Sequence, residues 1–390
     1  MGVRVTVVHN LKEGGARRRL SNQMAHMTCD IVEVCLETAT PIRSDATVMP
    51  LRQRAPSRSR LVRPPLRYLD LAALVHAWHR AADTVRNSGA EVVYLNPCRY
   101  LQAPPVLLER IPPTLYFCDE TRRVDNETTG QASRNQSTAT MYGPLYAAQR
   151  NLDRRATSRA SRLATNSRYT ASEIARVYHR DAEVVTLGVA ESLLSAPPHE
   201  HSGPHLLSVG ALVRGKGHDL ALRSVAMTSR RRPVVIVAPR PEPSEEARLR
   251  ALSAEVGVGL DLRVAISDVE LAELYATAQA TLYLAQREPL GLASLEAQAC
   301  GSPVIVADEG GLPETIIDGV TGWKAPRVPA MIAKAIDLLE DTSIREAASV
   351  AAKAHGREWS WPASSAKIEL LLTEVRAGEP TSAQSQFRLR

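Results

Sequence analysis

Residues 287–314 read REPLGLASLEAQACGSPVIVADEGGLPE, and this stretch decides the fold. The segment Leu292–Cys300 has the composition of a helix, and Gly301 and Pro303 lie where such a helix would end. The apolar run VIVA that follows predicts a buried strand. A helix that leads almost directly into an apolar strand is typical of proteins in which strands and helices alternate along the chain.

The same alternation extends toward the N-terminus of this stretch. It predicts strands at His205–Val209, Pro233–Val237, Asp261–Val264, Ala280–Leu284 and Pro303–Ala307. It predicts intervening helices at Gly217–Thr228, Ser244–Val256, Val269–Ala278 and Leu292–Cys300. Alternating strands and helices form right-handed βαβ units, so we expect a parallel sheet with helices on both faces.

A second alternating series precedes the first. The predicted strands are Val3–His9, Ile31–Leu36, Glu91–Leu95, Thr114–Cys118, Arg162–Thr165 and Glu183–Leu187, and the predicted helices are Ala16–Met27, Leu69–Asn87, Met141–Ala160 and Thr170–Tyr178. We therefore predict an α/β protein with two doubly wound, Rossmann-like domains that face each other across a ligand-binding cleft.

The domain limits follow from breaks in the pattern. The first domain is predicted at 1–195, a proline-containing linker at 196–204 and the second domain at 205–357. We expect a helix at 358–377 that packs back on the first domain, and a disordered tail at 378–390. Helical sequence is predicted throughout Ile344–Val375.

Composition narrows the class of protein. The chain has 390 residues, 44% hydrophobic and 23% charged, which is ordinary for a globular protein. The five cysteines form no C-x-x-C pair, which argues against a disulfide framework or zinc site and favours the reducing cytoplasm. No export signal or apolar run long enough to span a membrane is apparent. Peripheral contact with a phospholipid surface remains open.

The formal net charge is +6, and the most basic stretch is Arg52–Arg67. It lacks interleaved aromatic residues, so we interpret it as a solvated loop and expect no nucleic-acid partner. Nucleic-acid binding stays an alternative that its salt dependence would reveal. No D-x-D pair or histidine cluster with ligand spacing occurs, so we predict no metal and no cofactor.

The segment 287–314 also carries candidate chemistry. Gly291 permits a close backbone approach, and the helix that begins after it has unpaired N–H groups and a positive dipole end that can bind a phosphate. Glu288 lies before this helix and Glu296 inside it. Carboxylates accept hydrogen bonds from the vicinal hydroxyls of sugars. The pattern therefore predicts a ligand with both phosphate and sugar groups.

Glu288, seven intervening residues and Glu296, continuing as EAQACGSPVIV and GGLPE, resemble the E-x7-E signature of retaining glycosyltransferases of family 4, which have the GT-B fold. Four further segments resemble that family. They are GALVRGKGH at Gly210–His218, LATNSRYTASEIARVY at 163–178, SDVELAELYATA at 267–278 and KEGGARRRL at 12–20. The resemblance thus extends over most of the chain.

The resemblance implies roles residue by residue. Glu288 would bind hydroxyls of the donor sugar, Glu296 the ribose, and Lys216 the diphosphate leaving group. As a set, the implied donor-binding residues are Gly15, Gly210, Arg214, Lys216, Glu288, Pro289, Leu290, Gly291, Leu292 and Glu296. The implied acceptor-binding residues are Gly14, Gly15, Arg18, Asp119, Arg122 and Asn166. The implied catalytic residues are Glu288, Lys216 and Asp119.

Two positions depart from the family pattern. Ala211 occupies the position of a usual arginine that assists the lysine, and Arg214 is the nearest substitute in the sequence. In the segment YFCDETRR, Asp119 stands where the family commonly has a histidine near the reaction centre. An anion at that position would select an unusual partner, for example one with a cationic group.

We therefore expect an enzyme that transfers a sugar, with retention, from a UDP or GDP sugar to a small-molecule acceptor by front-side displacement. The expected setting is the cytoplasm and specialised metabolism such as antibiotic biosynthesis. The alternatives are a transferase of cell-envelope or lipid-linked glycans, a phosphorylase-like enzyme and a catalytically impaired sugar-nucleotide-binding protein. The sequence leaves open the base, the sugar, the acceptor atom, and whether the protein is a monomer or homodimer.

Overall fold

The computed structural model describes residues 3–51, 63–122, 136–194 and 203–379, without the side chains of 63–65 and 136–142. Its contacts divide the chain into two compact units. Unit 1 comprises Met1–Asn166, Thr170–Val185 and Pro362–Arg390, and unit 2 comprises Ser167–Tyr169 and Thr186–Trp361. Within the described ranges, no helix combines the length and the apolar character needed to cross a bilayer.

Unit 1 contains a seven-stranded parallel sheet. Its strands are β1 Arg4–Asn10, β2 Asp30–Leu36, β3 Thr47–Met49, β4 Val92–Cys98, β5 Thr114–Phe117, β6 Arg162–Thr165 and β7 Glu183–Val184. They lie in the order β3-β2-β1-β4-β5-β6-β7. The helices are α1 Gly15–His26, α2 Arg63–Asn87, α3 Gln136–Arg159, α4 Arg168–Tyr178 and α12 Trp361–Ala377. Of the last two, residues 170–178 of α4 and the residues of α12 from Pro362 onward belong to unit 1.

Helices cover the sheet of unit 1, so its central strands are buried on both faces. All seven residues of β4 are buried, as expected of a central parallel strand. Trp78 of α2 is fully buried in the main apolar cluster, together with Val8, Val34 and Leu95 of the sheet and Ile174 of α4. The short edge strands β3 and β7 have exposed or half-buried residues.

Unit 2 contains a six-stranded parallel sheet in the order β10-β9-β8-β11-β12-β13. Its strands are β8 Leu206–Val209, β9 Val234–Ala238, β10 Leu260–Val264, β11 Ala280–Tyr283, β12 Val304–Ala307 and β13 Gly322–Ala325. Its helices are α5 Glu191–Leu194, α6 His218–Val225, α7 Pro243–Val256, α8 Asp268–Thr277, α9 Leu292–Ala299, α10 Pro329–Leu338 and α11 Thr342–Gly356. Leu222 of α6, Leu249 of α7 and Ile336 of α10 pack with β9 and β11 in the core.

The sequence did not indicate four of these elements, one of which is the four-residue helix α5. The strands β3 and β13 are short and lie at sheet edges, and in β13 the half-buried Trp323 and the exposed Lys324 lie between two buried residues. The helix α10 follows shortly after β13, and the sequence pattern did not distinguish it from the loops on either side. The predicted strand Glu183–Leu187 is wrong in its length, because only Glu183 and Val184 pair with β6.

The unit boundary differs from the sequence-based domain limits. The chain passes from unit 1 to unit 2 at Val185 and Thr186, so residues 186–194 belong to unit 2, whereas the sequence-based limits place them in the first domain at 1–195. Residues 196–202 of the expected linker lie outside the described residues, as do residues 52–62 of the basic stretch and residues 380–390 of the expected tail. All five cysteines are described, and each is a free thiol.

Candidate functional site

Unit 2 changes its strand order between β8 and β11. β9 and β10 lie on one side of β8, whereas β11, β12 and β13 lie on the other. In open parallel sheets, ligands bind beyond the carboxyl ends of the strands at such a switch point. The loop after β8 contains Gly210 and Lys216, and the loop after β11 contains Glu288 and Gly291. The sequence-predicted donor residues therefore follow the two strands at the switch point.

The loop after β8 depends on two glycines. Gly210 has a φ of 159°, and a Cβ there would lie 3.5 Å from the methylene groups of Lys216, so the lysine stem packs against this glycine. Gly217 has a φ of 78°, and a Cβ there would lie 2.2 Å from the carbonyl oxygen of Leu284. The backbone N–H of Gln286 donates to the carbonyl of Gly215 at 2.7 Å. The two loops are thus held together.

His218 also holds the loop after β8 in place. It is the first residue of α6 and is 1% exposed. Its Nε2 lies 3.2 Å from the carbonyl oxygen of Ala211, and its Nδ1 lies 2.9 Å from the hydroxyl of Ser208. Burial lowers the pKa of His218 to about 4. The neutral imidazole therefore donates from Nε2 to Ala211 and accepts from Ser208.

Lys216 and Glu288 form the central contact of the site. The Nζ atom of Lys216 lies 3.0 and 2.8 Å from the two carboxylate oxygens of Glu288. The side chains are 23% and 15% exposed, so both still reach solvent. The hydroxyl of Tyr283 donates to Glu288 Oε1 at 3.2 Å. The sequence did not indicate Tyr283 as a site residue, because a tyrosine at the end of an apolar strand is typical of the hydrophobic core.

The loop between β11 and α9 is shaped by close backbone packing. Gly291 has a φ of 109°, and a Cβ there would lie 2.5 Å from the Leu312 side chain and 2.9 Å from the Tyr283 ring. The N–H of Gly311 donates to the carbonyl of Glu288 at 2.8 Å. A Cβ on Gly311 would lie 2.1 Å from the carbonyl oxygen of Pro289. This packing fixes the backbone on both sides of Glu288.

The helix α9 begins at Leu292, which is half-buried, and Leu290 before it is buried. The first N–H groups of a helix have no acceptor within the helix, so this end can bind an anion. Glu296 lies one turn further along α9 and is 6% exposed. The Tyr275 hydroxyl lies 3.4 Å from its Oε2. Glu296 and Glu288 therefore have different neighbours.

Arg214 is the nearest arginine in the sequence to Ala211, where the family resemblance implies an arginine. Its side chain is exposed, and among the described residues no hydrogen bond or ion pair joins it to Lys216 or Glu288. Its charge instead helps to lower the pKa of Glu245, after the larger effect of the hydrogen bond from Arg248. The side chain of Arg214 is therefore exposed to solvent.

Arg327 is a second cation at the carboxyl edge of this sheet. It follows β13, and its Nη1 donates to the carbonyl of Leu284 at 2.7 Å. The same atom lies 3.7 Å from Glu309, whose carboxylate accepts a hydrogen bond from the backbone N–H of Arg287 at 3.0 Å. No motif pointed to Arg327, because the contact joins residues 43 positions apart in the chain.

In unit 1, the loop after β1 carries Gly14 and Gly15. Gly14 has a φ of 150° and precedes α1, and among the described residues only the direct chain neighbours and the backbone of α1 have atoms within 4 Å of a Cβ built on either glycine. Arg18 is exposed in the first turn of α1. The neighbouring Arg17 donates to the carbonyls of Thr40 and Pro41 at 3.0 and 2.8 Å. The α1 end is therefore open next to basic side chains.

Asp119, which follows β5, is paired with Arg19. The Nε and Nη2 atoms of Arg19 donate to the two carboxylate oxygens of Asp119, each at 2.8 Å. Arg19 is 1% exposed, whereas the Asp119 side chain is 14% exposed. Burial alone would lower the pKa of Arg19, but the interactions with Asp119 and Tyr94 together outweigh burial and raise this pKa. The anion at Asp119 is therefore already paired with a cation of unit 1.

The other expected acceptor residues lie near Asp119 in the chain or in space. Asn166, directly after β6, donates from Nδ2 to the backbone carbonyl of Asp119 at 3.0 Å. Its Oδ1 accepts from Thr170 at 3.1 Å. Arg122 donates to Gln149 at 3.2 Å. Asn166 therefore supports the backbone at Asp119, and Arg122 contacts α3.

His9, Glu33 and Cys35 are the one group in the described ranges whose atoms lie close enough together to hold a metal ion. Glu33 accepts from the backbone N–H groups of Ile42 and Arg43 at 2.8 and 2.7 Å, and its Oε1 lies 2.8 Å from His9. These bonds already use both carboxylate oxygens. We interpret the group as an anchor for the loop after β2.

Comparison with known protein families gives a match in the second half of the chain. Residues 192–355 match the family described as "Glycosyl transferases group 1". This segment contains Lys216, Glu288, Gly291 and Glu296.

Similar proteins include several named D-inositol 3-phosphate glycosyltransferase. The relative from Thermobispora bispora is 31% identical over 243 residues, covering 55% of this chain and 56% of the relative. The relative from Frankia alni is 35% identical over 176 residues, covering 41% of this chain and 43% of the relative. The chain thus spans about half the length of these curated relatives.

Solved structures resemble the chain over nearly its whole length. A sucrose-phosphate synthase of Thermosynechococcus elongatus is 18% identical, with a TM-score of 0.75 over 97% of this chain and 100% of that one. Anabaena HepE in complex with UDP and glucose is 15% identical, with a TM-score of 0.69 over 95% and 100%. At these identities the likeness shows the fold, which is two Rossmann-like parallel-sheet domains. The segment 192–355 thus matches glycosyl transferases group 1, and the chain has the GT-B fold of such enzymes.

Proposed function

We propose that this protein is a retaining glycosyltransferase that uses a nucleoside-diphosphate sugar bound by unit 2. The observation that carries the proposal is the pair of Lys216 and Glu288, which lies on the two switch-point loops beside the N-terminus of α9. This arrangement supplies a cation and backbone N–H groups for a diphosphate, and a carboxylate for sugar hydroxyls.

The chemistry of these groups fits the departure of a diphosphate. The ammonium of Lys216 has three N–H groups, and its two bonds to one carboxylate leave at least one for a phosphate oxygen. Negative charge grows on the leaving group as the glycosidic bond breaks, so Lys216 and the α9 N-terminus would stabilise the transition state more than the ground state. Tyr283 and the Gly311 backbone hold Glu288 in place for the sugar hydroxyls.

Retention would follow from front-side displacement. In this step the acceptor hydroxyl attacks the anomeric carbon on the face from which the diphosphate leaves, and its proton passes to a departing phosphate oxygen. No enzyme nucleophile, metal or cofactor is required. A UDP or GDP sugar would serve as donor, and the Anabaena neighbour of the same fold was solved in complex with UDP and glucose.

For the acceptor we propose a small hydroxylated molecule bound by unit 1. The names of the relatives favour a sugar or cyclitol phosphate. The pairing of Asp119 with Arg19 supports this, because a neutralised carboxylate does not repel an anionic acceptor. Roles in antibiotic biosynthesis or cell-envelope glycans, and a cytoplasmic location, stay predictions.

The proposal is tested with Glu288→Gln and Lys216→Met. We expect each to lower kcat for donor turnover by roughly 100-fold or more, because each removes a group aimed at the developing charge or the sugar. Arg232→Met is the matched control, since Arg232 forms a bidentate pair with Glu340 at 2.7 Å just before β9, at the opposite edge of the same sheet. Wild-type turnover in both site variants would contradict the assignment.

A second candidate is a protein that binds a sugar nucleotide without transferring the sugar. It is favoured by Ala211, which offers no side-chain cation, and by the solvent exposure of the Arg214 side chain. Calorimetric binding of UDP and GDP sugars, followed by analysis of donor breakdown with sugar phosphates as acceptors, separates the two. Binding without hydrolysis or transfer would support the second candidate.

A further inference from the structure

A buried arginine in unit 1 has every one of its donors occupied. Arg19 has five N–H groups, and the structure gives it five hydrogen bonds. Two go to Asp119, and the others go to Gln23, Tyr94 and Asn96 at 2.8–2.9 Å. Full pairing of a buried guanidinium indicates a fixed position, because any rotation would leave a buried donor without an acceptor.

Phe117 and the helix α12 also hold the hydrogen-bond network of Arg19 in place. The Arg19 guanidinium carbon lies 3.8 Å from the centre of the Phe117 ring at the end of β5. Gln23, one turn after Arg19, donates to the hydroxyl of Ser364, and its carbonyl accepts from Ser365 of α12. Both serines are fully buried. The helix α12 therefore supports the arginine, and the arginine supports Asp119.

Asp119 is the one partner of Arg19 that is partly exposed. It lies two residues beyond β5, at the carboxyl edge where parallel sheets bind ligands. Each carboxylate oxygen accepts one N–H of the arginine fork, which fixes the plane of the carboxylate and leaves lone pairs on both oxygens. Asn166 holds the main-chain carbonyl of the same residue. Backbone and side chain of Asp119 are thus both fixed.

We propose that Arg19 is a positioning residue that presents Asp119 as a fixed, charge-neutralised hydrogen-bond acceptor for a substrate hydroxyl. The inference rests on the proposed function and adds the selectivity of the Asp119 position. Tyr94, Asn96 and Gln23 are neutral, so the buried cation and the carboxylate balance each other. A substrate ammonium would gain little from such a carboxylate, whereas a hydroxyl still finds a directed acceptor.

The experiment compares Arg19→Lys, Arg19→Met and Asp119→Asn with the control Arg162→Met. Arg162 is a buried arginine of the same sheet that pairs with Glu374 of α12, but it begins β6 at the opposite, amino edge. For each variant we measure unfolding, kcat, KM for both substrates, and the Kd of nucleoside diphosphates. We also measure the rate ratio for substrate analogues with an amino group or a hydroxyl at the same position.

We expect all three site variants to lower kcat by at least tenfold and to leave the Kd of the nucleoside diphosphate within about twofold, since that ligand is assigned to unit 2. Arg162→Met should lose stability but keep kcat. Arg19→Lys should retain more activity than Arg19→Met. In Arg19→Met the Asp119 carboxylate loses its paired cation, so the rate ratio of the amino analogue to the hydroxyl analogue should rise at least fivefold. If Arg19→Met does not fold, Arg19→Lys and Asp119→Asn carry the test.

Wild-type kcat and KM in Asp119→Asn would overturn the inference, as would an unchanged analogue ratio in folded Arg19 variants that lose only as much activity as Arg162→Met. Failure of the wild-type protein to bind nucleoside diphosphates or to turn over a donor would instead refute the proposed function. The two failures are therefore distinguishable.

Discussion

The buried imidazole of His218 should make the stability of unit 2 depend on pH, and His218→Gln should remove this dependence. His218 donates to Ala211 and accepts from Ser208 only while it is neutral. Glutamine has one amide donor and one carbonyl acceptor, so it can make both bonds without titrating. The substitution therefore separates the charge of residue 218 from its hydrogen bonds.

The magnitude follows from the pKa. The folded pKa of about 4 lies below the ordinary value of 6.5, chiefly because of burial. Between these values the unfolded chain binds a proton that the folded chain does not, so the free energy of unfolding falls as the pH falls. The contribution of the neutral His218 to the free energy of unfolding is complete above pH 6.5 and lost by about pH 4. At about 1.4 kcal/mol per pKa unit, the loss is about 3 kcal/mol.

Urea unfolding at several pH values between 7.5 and 4.5, in wild-type protein and in His218→Gln, measures this effect. Hydrogen exchange in peptides of unit 2 restricts the readout to that unit. Because all other groups titrate in both proteins, the difference between the two curves isolates His218. Parallel curves over this range would show that the imidazole is not held neutral by the fold, and the reasoning would fail.

Chemical denaturation also checks three predictions on stability. Gly217→Ala should cost about 1–3 kcal/mol, because its Cβ would lie 2.2 Å from a backbone oxygen at a φ of 78°. Gly215→Ala, with no atom within 4 Å of its Cβ, should cost under about 0.5 kcal/mol, and equal losses would contradict the contact. Asp341→Ala should lower the unfolding midpoint because it removes the side chain that accepts two N–H groups at the start of α11, and an unchanged midpoint would exclude this cap. Glu369→Ala should cost about 1–3 kcal/mol because its carboxylate accepts the backbone N–H groups of Thr28 and Cys29 at 2.6 and 2.9 Å, and a neutral result would show that water replaces it.

Much of the fold could be predicted from local sequence. Apolar runs such as VIVA at β12 and the alternation of strands with helices carry the βαβ architecture, because buried parallel strands are apolar on both faces. The two-residue strand β7 and the edge strand β13 could not be delimited in this way. Their extent depends on pairing with a neighbouring strand, which a local pattern does not contain.

The candidate site was predictable where glycines and charges occur together. Gly210, Lys216, Glu288 and Gly291 lie on the loops that the sequence indicated, and the structure joins Lys216 to Glu288 across 72 positions. Arg19 was not predictable in the same way. It is the third of three consecutive arginines, and it is the one of the three that is buried. The contacts that bury it are with residues 75 to 100 positions away in the chain, which a local pattern does not contain.

The return of α12 to unit 1 has a consequence for synthesis on the ribosome. Ser364 and Glu369 contact Gln23 and Thr28 from 341 positions away, so the first sheet cannot be fully covered until α12 has been translated. At about 5–20 residues per second, the 176 residues of Thr186–Trp361 delay that covering by roughly 10 to 35 seconds. During this interval the nascent first sheet exposes apolar surface, and it is a natural client for chaperones that bind emerging chains.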